Sequence, residues 1–445
     1  TFNVTSGDAF DLDNKVGITF TNNNPEVTIA GAVDGINALN YGDGALSITT
    51  TGTTTGGGDG IRAYNDGTSL TINAATTTGG NYGIHAYNKG DGALSITTTG
   101  TTTGTTKYGI FASNGYELLG SVYGTSLTIN AATTKGGDHG IKAKNIGSGA
   151  LSITATGTTT GTNYDGIYAN NSSAGTSFTI NAATTTGGDD GIEAKNYGSG
   201  ALSITTSGAT TGTSGDGIFA YNSSAGTSLT IKAANTTGAT DGIDAKNYGE
   251  GALSITTTGD TESGNGSVGI RAYNKSTGTD LTINAATTTG GVHGIYAINN
   301  GTGELSITTN TTGGIGVGIY ANNKGTGVLS ITTTGTTTGT NYDGIYANNS
   351  SAGTSLTINA VTTTGGEDGI DADNEGSGAL SIKTTGTTTG GSGYDGINAY
   401  NKSTGTSVTI NAATTIGGED GIVALNYGSG ALSITTTGTT TGTTG

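Results

Sequence analysis

The side chains able to do chemistry in this 445-residue chain are few, and they recur at a regular spacing. Ten carboxylates stand directly before a Gly-Ile pair: Asp34, Asp59, Asp165, Asp190, Asp216, Asp241, Asp343, Asp368, Asp395 and Asp420. Hard cations take oxygen ligands of this kind, and calcium is conceivable where a second acid adjoins, at Asp189–Asp190, Glu367–Asp368 and Glu419–Asp420. The repeated calcium nonapeptide Gly-Gly-x-Gly-x-Asp is missing, however, and Asp-Gly is ordinary turn chemistry. Turns are therefore expected there, with no metal site and no cofactor. His85, His139 and His293 stand at unrelated distances and read as surface residues. Without Cys there is neither disulfide nor thiolate chemistry. A polysaccharide-cleaving β-helix would need carboxylates and a basic residue clustered in one groove, whereas the charges here are thinly spread. No catalytic residue is assigned, and the chain is read as non-enzymatic.

An amide recurs more strictly, four residues after the Ile that opens each repeat unit, as in Asn65, Asn196, Asn247 and Asn426. Stacked amides donate to one neighbour and accept from the other, so these positions read as a structural ladder. The intervening outward positions are rich in aromatics: Tyr64, Phe111, Tyr168, Phe219, Tyr221, Tyr273, Tyr346 and Tyr400. Aromatics favour strands in any case, yet exposed aromatic columns are also what a glycan or protein partner would use. One column, Lys144, Asn170, Lys195, Tyr221, Lys246, Tyr273, invites cation–π stacking. A 31-residue interval carrying Tyr116, Leu118 and Leu119 breaks the spacing. It is either a protruding contact loop or one packed back on the body.

The elements that must hold these groups follow from the period. Aligned on Gly-Ile, the chain holds sixteen units, from Ile36 to Ile422, mostly 25 or 26 residues apart, which marks one supersecondary turn per repeat. Each repeat holds Gly-Ile-x-Ala-x-Asn and then, usually, Leu-Ser-Ile-Thr or Leu-Thr-Ile-Asn, both alternating with period two as strands do. The inward set is Ile61, Ala63, Asn65, Leu70 and Ile72 in one repeat and Ile192, Ala194, Asn196, Leu202 and Ile204 in another. A Thr-rich segment such as Thr158–Thr160 reads as a short third strand. So thin a core must be completed by stacking, and parallel crossovers wind right-handed by default. The expected fold is all-β, a right-handed parallel β-helix (β-solenoid) of about 16 coils of about 25 residues. Residues 34–445 form the repeat domain; residues 1–33, with the strand-like runs Ile18–Phe20 and Val27–Ile29 and the only proline, Pro25, read as an irregular first coil and cap.

Composition narrows the function. With 85 Gly and 31% hydrophobic residues an ordinary globular core is excluded. A net charge of −17 without any basic run argues against nucleic acid. No stretch approaches a membrane-spanning length of apolar residues. The absence of Met and the ending in mid-repeat are read as a piece of a longer precursor. The outward residues of the second strand are Ser or Thr in one column and Thr or Asn in the other, except at Lys232 and Lys383. That face is simply solvated, associates with other copies, or binds ice.

Coils reading Gly-Ile-Tyr-Ala-Asn-Asn, Leu-Ser-Ile-Thr-Thr-Thr-Gly and Leu-Thr-Ile-Asn-Ala-Ala-Thr-Thr-Thr-Gly-Gly resemble the passenger domains of autotransporter (type V secreted) adhesins, over residues 34–445. The resemblance implies a rod at the Gram-negative outer membrane or outside the cell, attached to the membrane only through a C-terminal barrel beyond this sequence. It implies adhesion, or self-association in aggregates and biofilms. The expected partners are another copy of the chain, or a host or surface glycan or protein. An ice-binding protein, a filament subunit and a polysaccharide-active enzyme are the alternatives.

Overall fold

Alternating Ile and Ala in a short run can be buried only if the strand carrying them is covered from above and below. In the computed structural model, which describes residues 2–118 and 121–443, that is how the repeats are arranged. All elements among the described residues are strands. The chain divides into two units, Thr1–Thr227 and Ser228–Gly445. Each is a parallel β-solenoid whose coils contribute a first strand (Ile-x-Ala-x-Asn), a second (Leu-x-Ile) and a short third.

In the first unit nine first strands stack, from Phe10–Asn14 and Ile36–Asn40 through Ile141–Asn145 to Ile218–Asn222. Pairing is parallel and in register, with Ile84 on Ile110, Ala86 on Ala112 and Asn88 on Asn114. Second strands stack likewise, Leu127 on Leu151 and Ile129 on Ile153. The second unit repeats the arrangement with eight first strands, Ile243–Asn247 to Ile422–Asn426. There the second and third strands run on without a break in Leu281–Thr289 and Leu305–Gly314. The sequence-derived core is correct: Ile61, Asn65, Leu70 and Ile72 are fully buried and Ala63 is 1% exposed, and Ile192, Ala194, Asn196, Leu202 and Ile204 are all inaccessible. The third strand also forms, Thr159–Gly161 on Thr185–Gly187.

The Gly before the Ile that opens each repeat lies at a tight point of the coil. A Cβ on Gly191 would lie 2.5 Å from the Gly217 carbonyl oxygen and 2.8 Å from Thr210 Cγ2. The methyl of the third-strand Thr thus fills the space that a side chain would need, and Gly at this point of the repeat is a packing requirement.

The same Thr poses a cost. In the first unit Thr54, Thr77, Thr102, Thr134, Thr159, Thr185 and Thr210 are fully buried, and none of their hydroxyls has a hydrogen-bond partner among the described residues. In the second unit Thr312 does reach the Gly318 carbonyl, at 3.3 Å. A buried hydroxyl without a partner costs about 1–3 kcal/mol, so Thr185→Val, which keeps the shape, is expected to stabilise by about 1 kcal/mol. Thermal melting checks this, and a lowered midpoint would mean that the hydroxyl has a partner.

Residues before Ile36 are more regular than expected. Phe10-Asp-Leu-Asp-Asn14 pairs residue for residue with Ile36–Asn40, Ile18–Asn22 with Leu46–Thr50, and Ile29–Gly31 with Thr54–Gly56. This is a complete coil whose strand carries Phe and Leu where later coils carry Ile and Ala. Phe2–Asn3 adds a fragment of a further turn by pairing with Ile29–Ala30.

Candidate functional site

Four sets of side chains are held in columns by this stacking. The inner one is the amide ladder. In the first unit Nδ2 of Asn40 donates to Oδ1 of Asn65 at 2.6 Å, Asn65 to Asn88 at 2.7 Å, and Asn171 to Asn196 at 3.0 Å. The second Nδ2 proton goes to a turn carbonyl, as from Asn196 to Gly200 at 2.9 Å, and Oδ1 also accepts the Gly198 N–H at 3.2 Å. In the second unit Asn247 donates to Asn274 at 3.0 Å, and Asn401 to Asn426 at 2.8 Å. Both donors of Asn40, Asn171, Asn196, Asn247 and Asn401 are used, so the column is structural.

The second column is the residue before Gly-Ile. Asp-Gly does sit in a turn, but its carboxylate also binds the next coil. Asp34 Oδ1 accepts the Asp59 N–H at 2.7 Å, Asp190 Oδ1 the Asp216 N–H at 2.6 Å, Asp343 Oδ1 the Asp368 N–H at 3.1 Å and Asp368 Oδ1 the Asp395 N–H at 2.7 Å. His139 and His293 occupy this same slot, and their Nδ1 atoms accept the N–H of Asp165 and Val317, each at 3.2 Å. An accepting Nδ1 places the His293 proton on Nε2, and burial lowers the His293 pKa, whereas His139 Nδ1 also lies 3.3 Å from Asp165 Oδ2. The expectation of surface histidines is thus corrected for His139, which is 7% exposed; His85 and His293 are half-buried, with His85 held by Asp59 at 2.9 Å.

Stacked carboxylates repel and are desolvated. Burial, with Asp216, Asp165 and Asp189 close by, pushes Asp190 up to about 8. Burial also pushes Asp343 up to about 6, beside Asp368 and Glu367, and Asp371 to about 7, beside Asp343, Asp368 and Asp373. Oxygens of Asp165, Asp190 and Glu193 come within 4.8 Å of one another. Glu193 is ion-paired to Lys195, so the cluster is partly neutralised from within the fold.

The third set is the outward aromatics of the first strand. Tyr64, Phe111, Tyr168, Phe219, Tyr221, Tyr273, Tyr346 and Tyr400 are half-buried, leaning on neighbours above and below. In the second unit Tyr296, Tyr320 and Tyr346 stack with centroids 4.7 and 5.0 Å apart. Cation–π contacts form, but across columns as well as within them. Lys195 lies 5.8 Å from Tyr168 and 5.6 Å from Phe219, both in the column beside its own. In the first unit aromatic and basic groups concentrate, with Lys89 over Tyr64, Lys107 over Tyr82 and Lys142 over Tyr108 and Tyr168.

The irregular interval is a small antiparallel hairpin, Tyr116–Leu118 with Ser121–Tyr123. It leaves and rejoins the coil at Gly115 and Gly124, whose φ of 84° and 87° only Gly adopts without strain. Tyr116 and Tyr123 stack at 4.5 Å, and Leu118 is 53% exposed, which decides for protrusion over packing back. Leu119 lies outside the described residues.

The fourth set is the outward second-strand face. In the first unit the register sets Ser47, Thr71, Ser95, Thr128, Ser152, Thr179 and Ser203 in one line. A parallel line holds Thr49, Asn73, Thr97, Asn130, Thr154, Asn181 and Thr205, and neither line carries a charge. Lys232 and Lys383 interrupt the corresponding face of the second unit. A scan against protein-family models and searches of curated proteins and of solved structures found no match for the chain.

Proposed function

We propose that this chain is a non-catalytic association module of the cell surface, which binds other copies of itself through the second-strand face. The observation that carries the reading is the absence of charge from that face in the first unit, although the chain as a whole has a net charge of −17. Apart from the basic residues between Arg62 and Lys144, the charge elsewhere is mainly negative and repels a second copy; here only short hydroxyl and amide groups meet it. They recur about every 4.8 Å along each line, so two faces set side by side form many weak hydrogen bonds at once. Once the first contacts form, the rest are intramolecular, and avidity grows with the number of coils engaged. Tall or charged side chains would spoil the fit. An adhesin using the same face on a foreign surface needs the same geometry.

Sedimentation velocity on the intact chain at rising concentration tests this. Association is expected, and the triple variant Thr71→Glu, Thr128→Glu, Thr179→Glu, with charges on alternate coils, is expected to weaken it at least tenfold. Equal association of both proteins would refute the use of this face. Thermal hysteresis in a chain that stays monomeric would instead favour ice binding, which the regular hydroxyl spacing also suits.

A further inference from the structure

Charge is unevenly distributed along the chain. Between Arg62 and Lys144 six basic residues stand against four acidic ones, in a protein whose net charge is −17. The same coils hold the densest aromatic cluster, in which Tyr82, His85, Tyr87, Tyr108 and Phe111 touch ring to ring. A cavity of about 360 Å³ opens there, lined by Arg62, Ala63, Tyr64, His85, Tyr87 and Lys89.

The register explains its shape. Arg62 pairs with His85 and Tyr64 with Tyr87, so the two outward columns form opposite walls. Ala63, whose side chain is turned inward and buried, leaves only backbone as the floor. The walls are two residues apart along the strand, about 7 Å, and the volume falls in the range of small-ligand sites. One wall is held rigidly: the His85 ring stacks on Tyr82 at 4.2 Å while its Nδ1 meets Asp59 Oδ2 at 2.9 Å. Lys89 is fixed 5.0 Å from the Tyr64 centroid. Arg62 is exposed and has no hydrogen bond or ion pair among the described residues, so its fork of N–H donors is free at the rim. Of the nearby acids, Asp34 attracts Arg62 without a hydrogen bond to it while its Oδ1 accepts the Asp59 N–H, Asp59 holds His85, and Asp66 lies beside Tyr64 and Lys89.

We infer that this cavity is a binding site for an acidic oligosaccharide, with a pyranose ring against Tyr64 and Tyr87 and its carboxylate on Arg62 and Lys89. An amphipathic ring suits walls that are apolar in body and polar at the tip. A carboxylate at one edge of the ring suits a guanidinium, whose planar donors bind both oxygens, with an ammonium alongside. Lys107 and Lys142, on the next coils of the same face, offer further cations to the following sugars of a longer chain. A neutral sugar would leave Arg62 unused, and a bare anion would leave the tyrosines unused. The site lies on a different face from the association surface and stands or falls without it.

Isothermal titration calorimetry on the intact chain, with tetragalacturonate as the probe, tests the proposal. Maltotetraose serves as the neutral comparison and sodium acetate as the bare carboxylate. Tetragalacturonate is expected to bind at least tenfold more tightly than either, and to weaken as salt is raised. Arg62→Gln and Tyr87→Leu are each expected to weaken it at least tenfold, while Lys383→Gln, in the other unit, leaves it unchanged. Because Arg62 is exposed and unbonded, its variant is expected to melt as the parent does, which separates loss of binding from loss of fold. Failure to bind tetragalacturonate, equal binding of maltotetraose or acetate, or indifference to Arg62→Gln would each overturn the assignment.

Discussion

Asn196→Leu is expected to lower the stability of the first unit by about 4 kcal/mol, one of the largest effects of any single side chain outside the glycines. Asn196 is fully buried and makes five hydrogen bonds, the longest from Nδ2 to the Gly198 carbonyl at 3.4 Å. Leu has nearly the same size and removes them all. It leaves Nδ2 of Asn171, Oδ1 of Asn222, the Gly200 carbonyl and the Gly198 N–H facing an apolar group. Each buried orphan costs about 1–3 kcal/mol, and the total is moderated because turn groups can shift toward water. The loss is local, because coils in a solenoid contact only their neighbours. Amide hydrogen exchange should therefore accelerate in Ile167–Asn171 and Ile218–Asn222 before it does in distant coils. Asn73→Thr, on the outward face where other coils already carry Thr, is expected to stay within about 0.5 kcal/mol. Equal melting of Asn196→Leu and the parent would mean that the ladder contributes no stability.

The carboxylate columns make the second large effect one of pH. Asp190 titrates at about 8 in the folded chain, Asp371 at about 7 and Asp343 at about 6, against an ordinary 3.8. Burial likewise raises Asp34, Asp244, Asp368 and Asp373. A raised acid means that the folded chain binds more protons than the unfolded one. Its stabilising contribution is complete below about pH 4 and is lost as pH rises through the folded value. Buried His293 works the other way, losing stability as pH falls below its ordinary 6.5, but it is one group against many. The melting midpoint is therefore expected to fall steadily from pH 4 to pH 8. The net change, after solvent screening of these half-exposed groups, is on the order of a few kcal/mol. Asp190→Asn keeps an oxygen for the Asp216 N–H and removes the charge, so it should stabilise at pH 8.5 and do nothing at pH 4. A midpoint that rises with pH would contradict this electrostatic picture.

Much of this was legible in the sequence because each coil repeats the same physical problem. The strand positions and the buried Ile, Ala, Leu and Asn follow from alternation alone, as Ile192–Asn196 illustrates. The first coil was obscured by size: Phe10 and Leu12 replace Ile and Ala, so a search anchored on Gly-Ile passes over Phe-x-Leu-x-Asn. His139 and His293 looked unrelated when measured from one another, although both precede Gly-Ile and so share the slot of the aspartates. That slot identified a turn, but not the bond from its carboxylate to the next coil, which depends on the distance between coils. The stacking of Lys195 on Tyr168 and Phe219 depends on side-chain reach between columns, which period-two patterning does not encode. The cavity beside Arg62 was missed for a similar reason. Each of its walls joins side chains of two consecutive coils, and its signal was the local excess of basic residues within an acidic chain.

Every column described depends on consecutive coils lying directly over one another, and the absence of Cys makes that open to a clean test. Thr179 and Ser203 face outward on paired rungs, so their Cα atoms should lie about 4.8 Å apart, within the span a disulfide bridges. Thr205, two residues further on the same face, is displaced diagonally to about 8 Å from Thr179, beyond that span. After mild oxidation of the intact chain, the account predicts an intramolecular disulfide in the Thr179→Cys, Ser203→Cys protein and none in the Thr179→Cys, Thr205→Cys protein, read by mass spectrometry of the digested chain. A bridge in the second protein and none in the first would place the coils out of register and contradict the columns on which both binding faces rest.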